Sequence, residues 1–123
     1  MTSDRRVTIR TIPQPADLNV NGNIFGGWVL SQMDLAGADV AARRASGNVA
    51  TVAIEGMTFH TPIEVGDVVS IYTEITKVGR SSITVEIDVF AERGVERERY
   101  KVTEGTYIFV AIDTDNRPRP VDS

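Results

Sequence analysis

The chain has 123 residues, a net charge of −4 and a pI near 4.9, with 41% hydrophobic and 24% charged residues. That is one domain's worth of core. The acidic balance weighs against a nucleic-acid-binding face, although a local basic patch would still suit an anionic small ligand. There is no cysteine and one histidine, His60, which excludes disulfides, a cysteine nucleophile and a multi-histidine metal site within one chain. No apolar run approaches the ~20 residues of a membrane helix. No apolar stretch follows Met1–Arg6, so no secretory signal is expected and the expected location is cytoplasmic.

Residues 5–12 are dominated by β-branched types and predict a strand, ended by Pro13 and Pro15. Residues 16–25 predict a loop, with Asn21-Gly22 as its turn. From Gly26 to about Ala45 the composition is helical and apolar on nearly all sides, which predicts a buried helix. Arg43 and Arg44 suit its C-terminal end, and Ser46-Gly47-Asn48 stops it. Four strands follow, over about 49–60, 68–78, 82–92 and 97–112, broken at Pro62, Val65-Gly66-Asp67, Gly79-Arg80 and Gly94. Asp113–Asn116 is a turn, and residues 114–123 form a non-repetitive tail on a single domain.

The order β–α–β–β–β–β predicts an α+β fold, one long central helix wrapped by an antiparallel sheet. Short links suggest that the last four strands form a meander. A sheet around one helix leaves open edges, and pairing with a second copy is the natural remedy.

The segment from Asn21 to Asp34 carries the chemistry. Gly26 and Gly27 open the helix, where free backbone N–H groups favour negative charge. Asp34 follows in the same helix. Its helical neighbours Leu30, Ser31, Gly37 and Ala38 offer no ion pair, and an unpaired carboxylate in apolar company is costly. Donors plus an acid suit hydrolysis of an activated acyl group. An exposed acid on a polar face, and a glycine pair serving only a tight corner, are the plain structural alternatives.

The run Asn-Gly-Asn-Ile-Phe-Gly-Gly-Trp-Val-Leu-Ser-Gln-Met-Asp, residues 21–34, resembles the YciA-type acyl-CoA thioesterases of the hotdog fold. Thr51–Phe59, Pro62–Asp67 and Lys77–Ser82 agree with it, and the similarity covers roughly residues 7–119. The resemblance implies an acyl-CoA thioester hydrolase with Asp34 as general base or nucleophile. It implies that Asn23 comes from the neighbouring subunit and orients the reactants, while the residues alone favour a plain turn residue after Gly22. The Gly27 amide is the preferred oxyanion donor. Gly26 would contact the substrate, and Phe25, Trp28, Met33 and Met57 would line the acyl or pantetheine channel, though core packing explains these side chains equally well. Lys77, Gly79, Arg80, Ser81 and Ser82 would contact the CoA nucleotide, while a charged hairpin tip is their plain alternative.

No metal or cofactor is implied beyond coenzyme A as part of the substrate. The implied partners are other copies of the chain, a homodimer with shared sites, often three dimers in a hexamer, with no nucleic acid and no membrane. Two other readings stay open: a non-catalytic acyl-CoA-binding protein, and a hotdog hydratase or dehydratase. The latter class places a histidine near the start of the central helix, and His60 does not match that position.

Overall fold

The computed structural model of the protein describes residues 6–24 and 26–122. The elements run β1 (Arg6–Thr11), a 3₁₀ turn (Pro15–Asp17), α1 (Gly26–Ala45), β2 (Val49–Phe59), β3 (Val68–Val78), β4 (Ser82–Arg93) and β5 (Glu98–Ala111). Local pattern and element agree closely. Along β4 the alternation Ile83, Val85, Ile87, Val89 and Ala91 lies fully buried against the helix, as a period of two requires.

All strand pairs are antiparallel, and the sheet order is β1-β3-β4-β5-β2. This corrects the expected four-strand meander. Only β3-β4-β5 is a meander, and β2 lies beyond β5 at the sheet edge. The reason is the connection after β2, which crosses the end of the sheet and is anchored there. The His60 N–H donates to the Val102 carbonyl at 2.8 Å, and the Ile24 N–H to the Ile63 carbonyl at 3.1 Å. Asp67, 1% exposed, accepts from Arg93 Nε at 2.9 Å and Nη2 at 2.8 Å, and from the Glu64 N–H at 2.9 Å. A buried carboxylate held this way fixes the route of the crossover, because losing its partner would leave an uncompensated charge. The burial of β2 fits an edge position: most of its residues are exposed.

The helix also departs from expectation. It is not covered on all sides. Val29, Met33, Ala36, Gly37, Ala41 and Ala45 face the sheet, whereas Gly26, Gly27, Ser31 and Leu35 lie exposed, Leu35 at 60%. One sheet of five strands covers only one side of a helix. Gly37 is needed on the covered side, because a Cβ there would stand 2.8 Å from the Phe109 ring and 2.9 Å from Ile87 Cδ1.

The helix ends through Ser46, whose φ of 54° is left-handed, with the Gly47 N–H bonded to the Ala42 carbonyl at 3.1 Å. Gly47 has a different duty, since a Cβ there would meet Arg119 Nη2 at 2.5 Å. Val121, in the segment read as a tail, is buried with the core at 5% exposure. No helix among the described residues is long and apolar enough to cross a membrane.

Candidate active site

Asp34 is partly buried in the middle of α1. The Thr51 hydroxyl on β2 donates to Asp34 Oδ1 at 2.6 Å. A short bond of this kind to an ionised acceptor is strong and directional. Behind it, the Tyr107 hydroxyl donates to the Leu30 carbonyl at 2.9 Å. In an α-helix that carbonyl is also the target of the residue-34 N–H, so Tyr107 braces the turn that carries the acid. Tyr107 is fully buried. Burial, and secondarily the negative charge of Asp34, pushes its phenol up to about 12. Neither Thr51 nor Tyr107 stood out in the sequence. Each follows an ordinary strand pattern, and only the packing of β2 and β5 under the helix reveals its neighbour.

The helix N-terminus is a separate place. Asp34 is seven positions after Gly27 in the helix, which at 1.5 Å per residue is about 10 Å along the axis. Within one chain the acid is therefore not beside the amide donors. Neither Gly26 nor Gly27 has a positive φ, and a Cβ on either would meet nothing within 4 Å. Crowding and backbone strain within one chain do not account for the pair. Open space at two glycines fits approach by something outside the chain.

Asn23 stands next to this opening. Its loop is closed by Asn19: the Asn19 N–H donates to the Asn23 carbonyl at 2.6 Å. Asn19 Oδ1 accepts from the N–H groups of Asn21 and Asn23 at 2.9 and 3.1 Å. Gly22 takes φ +82° in the turn, a conformation glycine adopts at no steric cost. Asn23 and Gly26 share a cavity of about 360 Å³ with His60, and its apolar walls include Ile24, Val29, Ile63 and Val102. Asp34, Gly27, Trp28 and Met57 are not among its lining residues. Trp28 and Met57 pack against the core instead, with Met57 lying over the bare Cα of Gly105. Phe25 lies outside the described residues.

His60, read from sequence as structural, belongs to the cavity wall. Its Nε2 lies 3.2 Å from Glu104 Oε2. Glu104 also meets Lys101 Nζ at 2.6 Å. Lys101 first, and then His60, holds the Glu104 carboxyl below its ordinary value. No group of three His, Cys, Asp or Glu able to hold a metal ion occurs among the described residues.

The β3–β4 turn carries Gly79, Arg80, Ser81 and Ser82, with Lys77 at the end of β3. Lys77 and Arg80 are exposed. The Gly79 N–H donates to the Ser82 carbonyl at 2.8 Å, and a Cβ on Gly79 would stand 2.6 Å from Ser82 Oγ, so a side chain there would have to turn the Ser82 hydroxyl aside. Registers place the turn at the sheet end where Ser82 faces Val110 and Val49 faces Ala111. The cavity, walled by Val102, lies at the end where Phe59 faces Thr103. One chain thus keeps the proposed substrate contacts at opposite ends of its sheet.

A family model described as the thioesterase superfamily matches residues 21–98. The acyl-CoA thioester hydrolase YciA of Salmonella typhimurium is 46% identical, covering 98% of this chain and 92% of that protein. Among solved structures, the hexameric thioesterase y2039 from Yersinia pestis is 45% identical with a TM-score of 0.92, over 99% of each chain. The hexameric broad-specificity acyl-coenzyme A thioesterase HI0827 is 44% identical with a TM-score of 0.91, over 100% of this chain and 85% of that one. This chain therefore belongs to the YciA-type acyl-CoA thioester hydrolases of the thioesterase superfamily, on the hotdog fold.

Proposed function

We propose that this chain hydrolyses acyl-CoA thioesters at a site shared between two copies of itself, with Asp34 from one and Asn23 and the helix N-terminus from the other. The observation that carries the shared site is that Gly27 and Asp34 lie seven positions apart in one helix, about 10 Å of axial rise. The free N–H groups at the helix start point along the axis away from Asp34, so a carbonyl held there is directed away from the acid of the same chain. A second copy supplies the missing half.

The surface left open in one chain supports this arrangement. β2 is an edge strand, with Val52 and Ile54 exposed, and Leu35 is exposed on the helix beside it. An unpaired edge of this kind is a template for another strand. Antiparallel pairing of two β2 edges about a twofold brings each Val49 end beside the partner's Phe59 end. The partner's Gly79–Ser82 turn then arrives at the same end of the joint sheet as this chain's cavity. The substrate would extend between them, with its nucleotide at the turn and its thioester at the helix N-terminus. Three such dimers would make the hexamer found in the solved relatives.

The chemistry follows from the groups present. Asp34, oriented by Thr51, takes a proton from water as the water oxygen bonds to the thioester carbon. The carbonyl electrons move onto oxygen, where the Gly27 N–H stabilises the charge. Asn23 orients the water or the carbonyl. Collapse re-forms the carbonyl and breaks the C–S bond. The leaving thiolate takes the proton from Asp34, giving free acid and CoA. Direct attack by Asp34 to form a mixed anhydride uses the same groups in the other order. Neither route draws on a metal or cofactor. The relative HI0827 is a broad-specificity acyl-CoA thioesterase, and we infer a similarly broad acyl range here.

The test is complementation between inactive chains. Asp34→Ala and Asn23→Ala proteins are assayed separately for thiol release, then dissociated and reassembled together. A shared site predicts recovery in the mixture, up to roughly a quarter of wild-type activity, because half the dimers are mixed and each has one intact site. No recovery from a mixture shown to contain mixed dimers refutes the shared site. Binding of acyl-CoA by the wild type without thiol release would instead identify a binding protein.

A further inference from the structure

We propose that Arg119–Asp122 is a clasp that sets the β3–β4 turn, and that the backbone N–H of Val121 is a positioning group for the CoA nucleotide. This rests on the reading that the Gly79–Ser82 turn holds that nucleotide. The Val121 N–H donates to the Arg80 carbonyl at 2.8 Å, and the Ala111 N–H donates to the Ser81 carbonyl at 2.8 Å. A trans peptide directs its N–H opposite to its C=O. Holding the Arg80 carbonyl on Val121 therefore turns the Ser81 N–H away from the tail. Oriented turn amides with hydroxyls and a guanidinium make an anion-binding concavity, and only their fixed direction makes it selective.

The clasp is tied down at both sides of Val121. Arg119 Nη2 donates to the Ala45 carbonyl at the end of α1 at 2.8 Å, and Arg119 Nε to the Ile112 carbonyl at 3.2 Å. The Arg119 N–H donates to the Ala111 carbonyl at 2.9 Å. Asp122 accepts from Arg44 Nη1 at 2.7 Å and Nη2 at 3.2 Å. The Val121 side chain is buried between these anchors at 5% exposure. A loose tail would need none of these contacts. Together they join the helix C-terminus to the turn across the end of β5.

The experiment compares one acyl group carried on CoA and on pantetheine, which lacks the nucleotide. Val121→Pro removes the N–H and keeps an apolar side chain. It is expected to raise KM for acyl-CoA several-fold, leaving kcat and the pantetheine thioester unchanged. A merely structural role would move both substrates alike, and that result overturns the proposal. Arg80→Ala, assayed in parallel, separates the two layers of the argument. A KM rise in Arg80→Ala without one in Val121→Pro overturns the clasp alone. No rise in either overturns the nucleotide reading of the turn and the clasp with it. Should Val121→Pro fail to fold, Asp122→Ala loosens the same segment from outside. Faster amide exchange at Val121 in that variant must come with a higher acyl-CoA KM, and faster exchange with an unchanged KM overturns the proposal.

Discussion

The two faces of α1 are built from similar residues and meet different fates. Toward the sheet, Met33, Ala36, Gly37 and Ala41 are fully covered and packed to contact distance. On the other side, Gly26, Gly27, Ser31 and Leu35 stand open. Asp34 lies between the two, supported from the covered side by Thr51 and Tyr107. The covered face is complete within one chain and should respond to substitution as a core does. The open face should respond through catalysis and assembly, with little effect on the chain's own stability.

The largest expected effect falls on the boundary between the faces. Asp34→Ala should lower turnover by about 10²–10⁴, the usual worth of a general base, in a protein whose far-ultraviolet spectrum and melting are unchanged. Thiol-release kinetics check it, and surviving turnover would remove Asp34 from the mechanism.

On the covered face, Tyr107 gives a pH-dependent term. Its phenol is pushed up to about 12 in the folded chain, against about 10 when unfolded. The stabilisation is therefore fully present below pH 10 and is lost as pH rises from 10 to 12. The loss reaches about 2–3 kcal/mol. Urea titrations at pH 9 and above should show Tyr107→Phe losing less stability with alkali than the wild type. Parallel alkaline limbs would contradict the assignment.

Gly37→Ala probes the packing of the same face. The added methyl would collide with Phe109 and Ile87, and overpacking of this kind costs about 1–3 kcal/mol. A denaturation midpoint unchanged from wild type would show that the contact yields freely. Leu35→Ala, on the open face, should change single-chain stability by less than about 0.5 kcal/mol. It should instead weaken assembly, seen as a concentration-dependent shift in sedimentation. A large stability loss with unchanged assembly would erase the distinction between the faces.

Much of this was legible in the sequence. The helix from Gly26, the turns at Gly22 and Gly66, and the strands from Val49, Val68 and Ser82 all follow from periodicity and turn chemistry, which act between near neighbours. The segment from Asn21 to Asp34 stood out for the same reason. His60 was visible, but its place on the cavity wall beside Asn23 was not, because only the crossover brings it there. Thr51 was hidden, since a threonine in a strand has an ordinary explanation in β propensity.

The sequence by itself determined the element order, the family and the residue types available for acyl transfer. These depend on local hydrogen bonding and side-chain pattern, which a linear string records. The tertiary structure alone decided that β2 lies at the sheet edge beside β5 and that the helix keeps one side open. Those features arise from contacts between residues far apart in the chain, such as Asp67 with Arg93 and Tyr107 with Leu30. Each becomes favourable only once the whole sheet has formed, and no local pattern encodes it.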